Sequence, residues 1–178
     1  MDQGEDQGLR AIVSTARLWM REVLPQDAPV MFAMNNDPEV MRFTGDRPFP
    51  SLAAAETFIR AYPDYQLNGF GRWAVILKGE EVPIGWCGLK RHTDGMIDLG
   101  YRLVRPHWGN GYATEASHAC LDWGFQRVDI HEVLGRTARE NRASVRVLEK
   151  IGMRYWRSEP CEGIPDSLIY RIRRSDPR

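Results

Sequence analysis

Three apolar, strand-like stretches follow one another at residues 71–78, 82–91 and 96–104, separated only by Gly79-Glu80-Glu81 and Thr93-Asp94-Gly95. Gaps that short join antiparallel neighbours, because a parallel crossover needs a dozen or more residues. The chain must therefore contain a meander. Next comes a stretch at 109–127 with Tyr112, Ala116, Ala119, Cys120 and Trp123 on one helical stripe, then a short strand at 132–138 and a helix at 141–151. Two final strands are predicted at 152–157 and 167–173. Upstream, 16–24 alternates as a strand, and Pro25-Gln26-Asp27 starts a helix carrying Val30, Met31 and Met34. Asp37-Pro38 ends that helix, and Ser51 is the expected N-cap of a second one with Ala55, Phe58, Ile59 and Tyr62. The order β-α-α-β-β-β-α-β-α-β-β implies an α+β, three-layer fold, with a single mixed, mostly antiparallel sheet and helices on both faces. One domain is expected over 15–178, with 1–14 as a loose tail.

Composition excludes several functions. Lys+Arg and Asp+Glu both total 24 among 178 residues, so no basic excess supports nucleic-acid binding. No apolar run approaches the roughly 18 residues of a membrane span, and the acidic start Met1-Asp2-Gln3-Gly4-Glu5-Asp6 is no signal peptide. Cys87, Cys120 and Cys161 have no C-x-x-C spacing, which fits reduced thiols in a cytoplasm. His92, His107, His118 and His131 form no metal-binding pair, so no metal site is expected. No serine lies in G-x-S-x-G.

The stretch Asp98-Leu99-Gly100-Tyr101-Arg102-Leu103-Val104-Arg105-Pro106-His107-Trp108-Gly109-Asn110-Gly111-Tyr112-Ala113-Thr114-Glu115-Ala116 carries the most chemical information. A strand enters a glycine turn, and the turn opens a long helix. Such a helix start offers unpaired N–H groups and the positive end of the macrodipole. Gly109 and Gly111 leave the backbone open to an anion such as a pyrophosphate. The same glycines also suit an ordinary tight turn. A Walker loop is ruled out, because Gly111-Tyr112-Ala113 stands where Gly-Lys-Ser/Thr is required. A dinucleotide fingerprint would take Gly109 and Gly111, with Thr114 in place of its third glycine and Asp129 or Glu132 as the ribose-binding acid. An acyl-CoA pyrophosphate loop is the third reading. With Asn141 as N-cap, Ser144 falls in the first turn of the later helix.

Taken together, LWMREVLPQDA at 18–28, NNDPEVMRFTGD at 35–46, GRWAVILKGEEVPIGWCGLK at 71–90, IDLGYRLVRPHWGNGYATEA at 97–116 and ENRASVRVLEKIGM at 140–153 resemble the GNAT superfamily of acetyl-CoA-dependent N-acetyltransferases. The nearest likeness is to the branch of ribosomal-protein N-terminal acetyltransferases. The resemblance implies a GNAT-like acyl-CoA N-acyltransferase fold with acetyl-CoA as co-substrate. It places Gly109, Asn110, Gly111, Tyr112, Ala113 and Thr114 around the pyrophosphate, and Leu103 and Val104 along the pantetheine arm. It also implies an oxyanion-stabilising N–H near Val104, cofactor contacts from Asn141 and Ser144, and direct transfer to a primary amine of a protein N-terminus or small molecule.

Two departures from the family pattern stand out. Pro106 occupies a slot where the family often has Gln or Arg, and Leu148 replaces a tyrosine that many members use as general acid. Ser144 is then the candidate acid toward the CoA thiolate, as in the branch resembled, and Asp98 the candidate base, directly or through water. Glu115 is a second candidate base, and Trp108 a residue that shapes the loop. The acceptor side is expected along 42–50, with Arg42, Phe43, Thr44, Asp46 and Arg47. The resemblance leaves a homodimer open. Two rival readings are a dinucleotide-dependent oxidoreductase and a catalytically silent acyl-CoA-binding module.

Overall fold

The computed structural model describes residues 10–127, 129–161 and 163–177. In chain order the elements are β1 (Val13–Ser14), β2 (Leu18–Glu22), α1 (Ala28–Asn35), α2 (Pro38–Met41), α3 (Leu52–Arg60), α4 (Asp64–Asn68), β3 (Arg72–Leu77), β4 (Pro83–Arg91) and β5 (Ile97–Leu103). They continue with α5 (Tyr112–Phe125), β6 (Glu132–Ala138), α6 (Arg142–Lys150), β7 (Arg154–Cys161) and β8 (Ile164–Arg173). All eight strands lie in one sheet, ordered β1-β2-β3-β4-β5-β6-β8-β7. The β3–β4–β5 meander is antiparallel as its short turns require. β5 and β6 are the parallel pair, joined by the α5 crossover.

The fold class follows the sequence expectation, while several boundaries differ for local reasons. Of the expected tail, residues 1–9 lie outside the described residues, and Val13–Ser14 instead pairs with β2 at Val13↔Met20 and Ser14↔Trp19. Helix α5 begins at Tyr112 rather than at 109, because Gly109 and Gly111 have φ of 78° and 80°. A left-handed residue cannot sit inside a right-handed helix. Asp37-Pro38 ends one helix and also starts α2, since proline is tolerated at the first helical position and Asp37 accepts the Glu39 N–H at 3.0 Å. Ser51 caps α3 as expected, accepting the Ala54 N–H at 3.1 Å.

The pleat of β4 divides the core. Cys87 and Leu89 join the cluster under α5 and α6, which includes Ala116, Cys120, Leu121, Leu148 and Ile151. Trp86 points the other way, onto the cluster of α1 and α3 built from Ala28, Met31, Met34, Ala55 and Ile59. The helices therefore cover both faces, each held by side chains whose burial contributes about 1.5–3 kcal/mol apiece.

One charged pair lies inside this packing. Arg21 of β2 makes a bidentate bridge to Asp27, at 2.7 and 2.9 Å, with both side chains buried. Asp27 also accepts the Leu24 N–H at 2.8 Å, which fixes the entry to α1. Removing one partner strands a buried charge. Asp27→Ala is expected to lower stability by about 3–5 kcal/mol in urea titration, while the double change Arg21→Met/Asp27→Leu recovers most of it. A single change costing under about 1 kcal/mol would mean the pair does not anchor α1.

Candidate active site

Strand β5 has two unequal neighbours. It stays paired with β4 from Arg91↔Ile97 to Gly85↔Leu103. Toward β6 the register contains only Asp98↔Leu134 and Leu99↔Gly135. Past Leu99 the parallel strands part, while β6 remains paired with β8 as far as Ala138↔Ser167. Backbone groups of an extended strand alternate between its two sides. The Val104 N–H donates to Ile84 O on the β4 side at 2.9 Å, so the groups of Tyr101 and Leu103 face the gap. The Val104 N–H itself is engaged with Ile84, and its carbonyl accepts the His107 N–H at 3.1 Å, so the donor near Val104 that faces the gap is the Leu103 N–H. The Trp108 indole donates to Leu103 O at 2.8 Å, which fits its expected role in shaping the loop. The Tyr101 N–H and C=O and the Leu103 N–H therefore face the gap, where no strand of the described residues pairs with them.

At the mouth of the gap lies the glycine loop. The first-turn N–H groups of Tyr112, Ala113 and Thr114 have no intrahelical acceptor. The Asn110 side chain donates to the carbonyls of His107 (3.3 Å) and Trp108 (3.1 Å), closing the loop on itself. A residue missed in the sequence, Arg17, clamps the loop from outside. It donates to Asn110 O at 3.0 Å, lies 4.6 Å from the Tyr112 ring centroid, and pairs with Glu115 at 2.7 Å. Glu115 also accepts from the Thr15 hydroxyl at 2.6 Å. Burial raises its carboxyl pKa, but these partners together outweigh it and pull it below the ordinary range, so Glu115 ties the β1–β2 turn to the loop.

On the α5/α6 face of the gap, Asn141 caps α6 by accepting the Ser144 N–H at 3.1 Å. Ser144 Oγ is 2.8 Å from the Tyr101 hydroxyl, which also lies 3.2 Å from Ser144 O. Burial raises the Tyr101 pKa well above that of a free phenol, overriding the bond to Ser144, so it stays protonated. The sequence showed no link between residues 43 positions apart.

The opposite face is polar around Asp98. Arg72 NH2 reaches Asp98 Oδ1 at 2.9 Å, and His92 Nε2 lies 3.0 Å from the same oxygen. The Arg72 guanidinium rests over Gly100, where a Cβ would come within 2.7 Å of it. Arg102 donates to Asn35 at 2.7 Å and Asp46 at 2.5 Å, so Asp46 of the expected 42–50 wall is drawn into this cluster. Trp86 contacts both guanidiniums, with Arg72 at 5.4 Å and Arg102 at 5.3 Å from its ring. Burial alone would raise the Asp98 pKa, but Arg72, then His92 and Arg136, outweigh it and bring it to about 2. Asp98 is thus held ionised at neutral pH as the partner of Arg72.

The acids that a dinucleotide reading would use are engaged elsewhere. Asp129 pairs with Arg91 at 2.5 Å, and Glu132 with Arg173 at 2.8 Å. Among the described residues no helix is long and apolar enough to cross a membrane, and no group of three His, Cys, Asp or Glu side chains is arranged to hold a metal.

Residues 17–154 match the family model described as the acetyltransferase (GNAT) domain. The chain is 31% identical over 140 residues to the uncharacterised N-acetyltransferase p20 of Bacillus licheniformis, covering 77% of this chain and 79% of that one. It superposes on a GNAT-family acetyltransferase structure from Bacillus anthracis with a TM-score of 0.79 at 25% identity, covering 92% and 99% of the two chains. A spermidine N-acetyltransferase from Vibrio cholerae, solved with CoA and spermine, shares the fold with a TM-score of 0.76 at 20% identity, covering 90% and 98%. The chain belongs to the GNAT family of N-acetyltransferases.

The lowered Asp98 pKa has a consequence for stability. A carboxyl brought from 3.8 to about 2 contributes stability that is fully present above its unfolded pKa and lost as pH falls through its folded pKa. The contribution is about 2 kcal/mol. In denaturation curves from pH 6 to pH 2, the deficit of Asp98→Asn relative to wild type should shrink below about pH 4. A constant deficit across that range would contradict the Arg72–Asp98 account.

Proposed function

We propose that residues 15–178 form one acetyltransferase domain of the ribosomal-protein N-terminal acetyltransferase branch, and that it moves an acetyl group from acetyl-CoA directly to a primary amine. The acceptor is an amine of a protein N-terminus or of a small molecule. The branch reading rests on the five sequence stretches quoted above. The observation that carries the reaction is the parted β5–β6 gap, with backbone donors along one edge, the glycine loop at its mouth, and a hydroxyl pair on one face.

The residues fit the cofactor in chemistry and placement. The open first-turn N–H groups of Tyr112, Ala113 and Thr114, beside Gly109, Asn110 and Gly111, would receive the pyrophosphate. The free backbone groups of Tyr101 and Leu103 would pair with the pantetheine amides, and Asn141 and Ser144 would contact the arm from α6. Acetyl-CoA supplies an activated thioester carbonyl. Backbone N–H groups of the gap stabilise negative charge as it develops on the carbonyl oxygen.

When the Tyr101 hydroxyl donates to Ser144 Oγ rather than to Ser144 O, the Ser144 proton is free for the departing thiolate sulfur. This hydroxyl pair takes the place of the tyrosine that Leu148 lacks. On the other face the amine loses its proton to water, since an α-amine has a pKa of about 7.7–8.0 and needs no strong base. Asp98 holds Arg72 over Gly100 and acts on the acceptor only through that arrangement.

Two tests separate binding from chemistry. Gly111→Asp introduces a Cβ at a left-handed position and a carboxylate beside the phosphates, and should weaken acetyl-CoA binding at least tenfold in calorimetry. Unchanged affinity in the folded variant would remove this loop from the site. Ser144→Ala and Tyr101→Phe should each lower kcat more than they raise the KM for acetyl-CoA, with a loss near or below about 100-fold because a CoA thiol already leaves well. Full kcat in both, with chemistry rate-limiting, would mean that the thiolate leaves through water alone.

A further inference from the structure

The face of the gap opposite the hydroxyl pair carries more cation than anion. Lys90 stands across from Asp98 in the β4–β5 register, and Arg72, Arg102 and Arg136 lie on the same side of the sheet. Against these four stand Asp98 and Asp46. The guanidinium of Arg72 is matched by Asp98, and that of Arg102 by Asp46 and Asn35. Arg136 is different. It sits on β6 one residue beyond the last β5–β6 pair, where the strands have just separated, and its side chain is half-buried. Its Nε is shielded from solvent and has no hydrogen-bond partner among the described residues. It acts on Asp98 through space. Farther along the same face, Glu132 is already taken by Arg171 and Arg173.

A buried guanidinium nitrogen without an acceptor is costly unless a ligand supplies one. Guanidinium forks match carboxylates in a bidentate geometry. We propose that Arg136 binds a carboxylate of the amine acceptor, so that the enzyme acetylates amines carrying a carboxylate within a few bonds of the reacting nitrogen. This inference rests on the acetyltransferase reading and narrows its acceptor. An electropositive acceptor face repels polyamines, whose charge is all positive. A free amino acid and a peptide beginning with an acidic residue both present the required pair of groups.

The test compares matched acceptors that differ only in that charge. Free aspartate, glutamate and serine are set against their fully amidated forms, and a peptide beginning with Asp against the same peptide beginning with Asn, with spermidine as the polyamine. Acetylated products are read by mass spectrometry and steady-state rates. Wild type should favour the carboxylate member of at least one matched set by about tenfold or more in kcat/KM, chiefly through KM. The free-acid and peptide arms show which source of carboxylate fits. Arg136→Gln should collapse that preference toward unity, and Arg136→Lys should restore part of it, which a merely structural role would not do. Thermal stabilisation by acetyl-CoA confirms that each variant is folded and loaded. Equal use of acid and amide, preference for spermidine, a preference that survives Arg136→Gln, or no carboxylate acceptor acetylated by a protein that binds acetyl-CoA would each overturn the inference. Failure to bind acetyl-CoA at all would instead defeat the acetyltransferase reading beneath it.

Discussion

The functional architecture depends on β5 not keeping both of its neighbours. On one side it is held by seven register pairs with β4. On its other side, β6 is held by seven register pairs with β8. The two pairing blocks meet through only two register pairs, Asp98↔Leu134 and Leu99↔Gly135, and then diverge. Each strand is anchored from behind, so the gap stays open without collapsing into a longer parallel ladder. Backbone donors that would otherwise be consumed in the sheet are left facing a cleft. Unpaired groups of this kind are costly in a core and useful in a binding site.

The pleat of the same strand separates the chemistry. Tyr101 projects toward α6, where its hydroxyl meets Ser144. Asp98, Gly100 and Arg102 project toward α1 and α3, where Arg72 and Trp86 order a charged face. One extended segment of seven residues thus supplies a donor edge to the gap, a hydroxyl to one face and a carboxylate to the other. The absence of side chains at Gly100 and Gly111 is part of this arrangement. The first leaves space for the Arg72 guanidinium, and the second permits the left-handed turn that opens α5 toward the loop.

The meander, the crossover and the caps at Ser51 and Asn141 were legible in the sequence because each is decided locally, by gap length, period or a capping side chain. The ends of α5 and the short helices α2 and α4 were less so. Two glycines read as the start of a helix until their φ values show them to be outside it. The glycine loop and Ser144 were also readable, through ordered motifs. Tyr101 was not, because its significance comes from a hydroxyl 43 positions away. In the sequence Asp98 is a candidate base, acting directly or through water, with no partner marked for it. Arg72 and His92, brought to it by the β3–β4–β5 register, change that chemistry. Arg17 escaped notice for a similar reason, since the turn that carries it meets the loop only in three dimensions. Long-range electrostatics were the part that a linear reading could not supply.

The central claim is that the parted edge of β5 receives the cofactor as an additional strand. Amide hydrogen exchange resolved at single residues, with and without saturating acetyl-CoA, tests it most directly. The account predicts strong new protection at the Tyr101 and Leu103 amides, with Val104, already bonded to Ile84, little changed. Acetyl-CoA binding that leaves exchange at Tyr101 and Leu103 unaltered would contradict it.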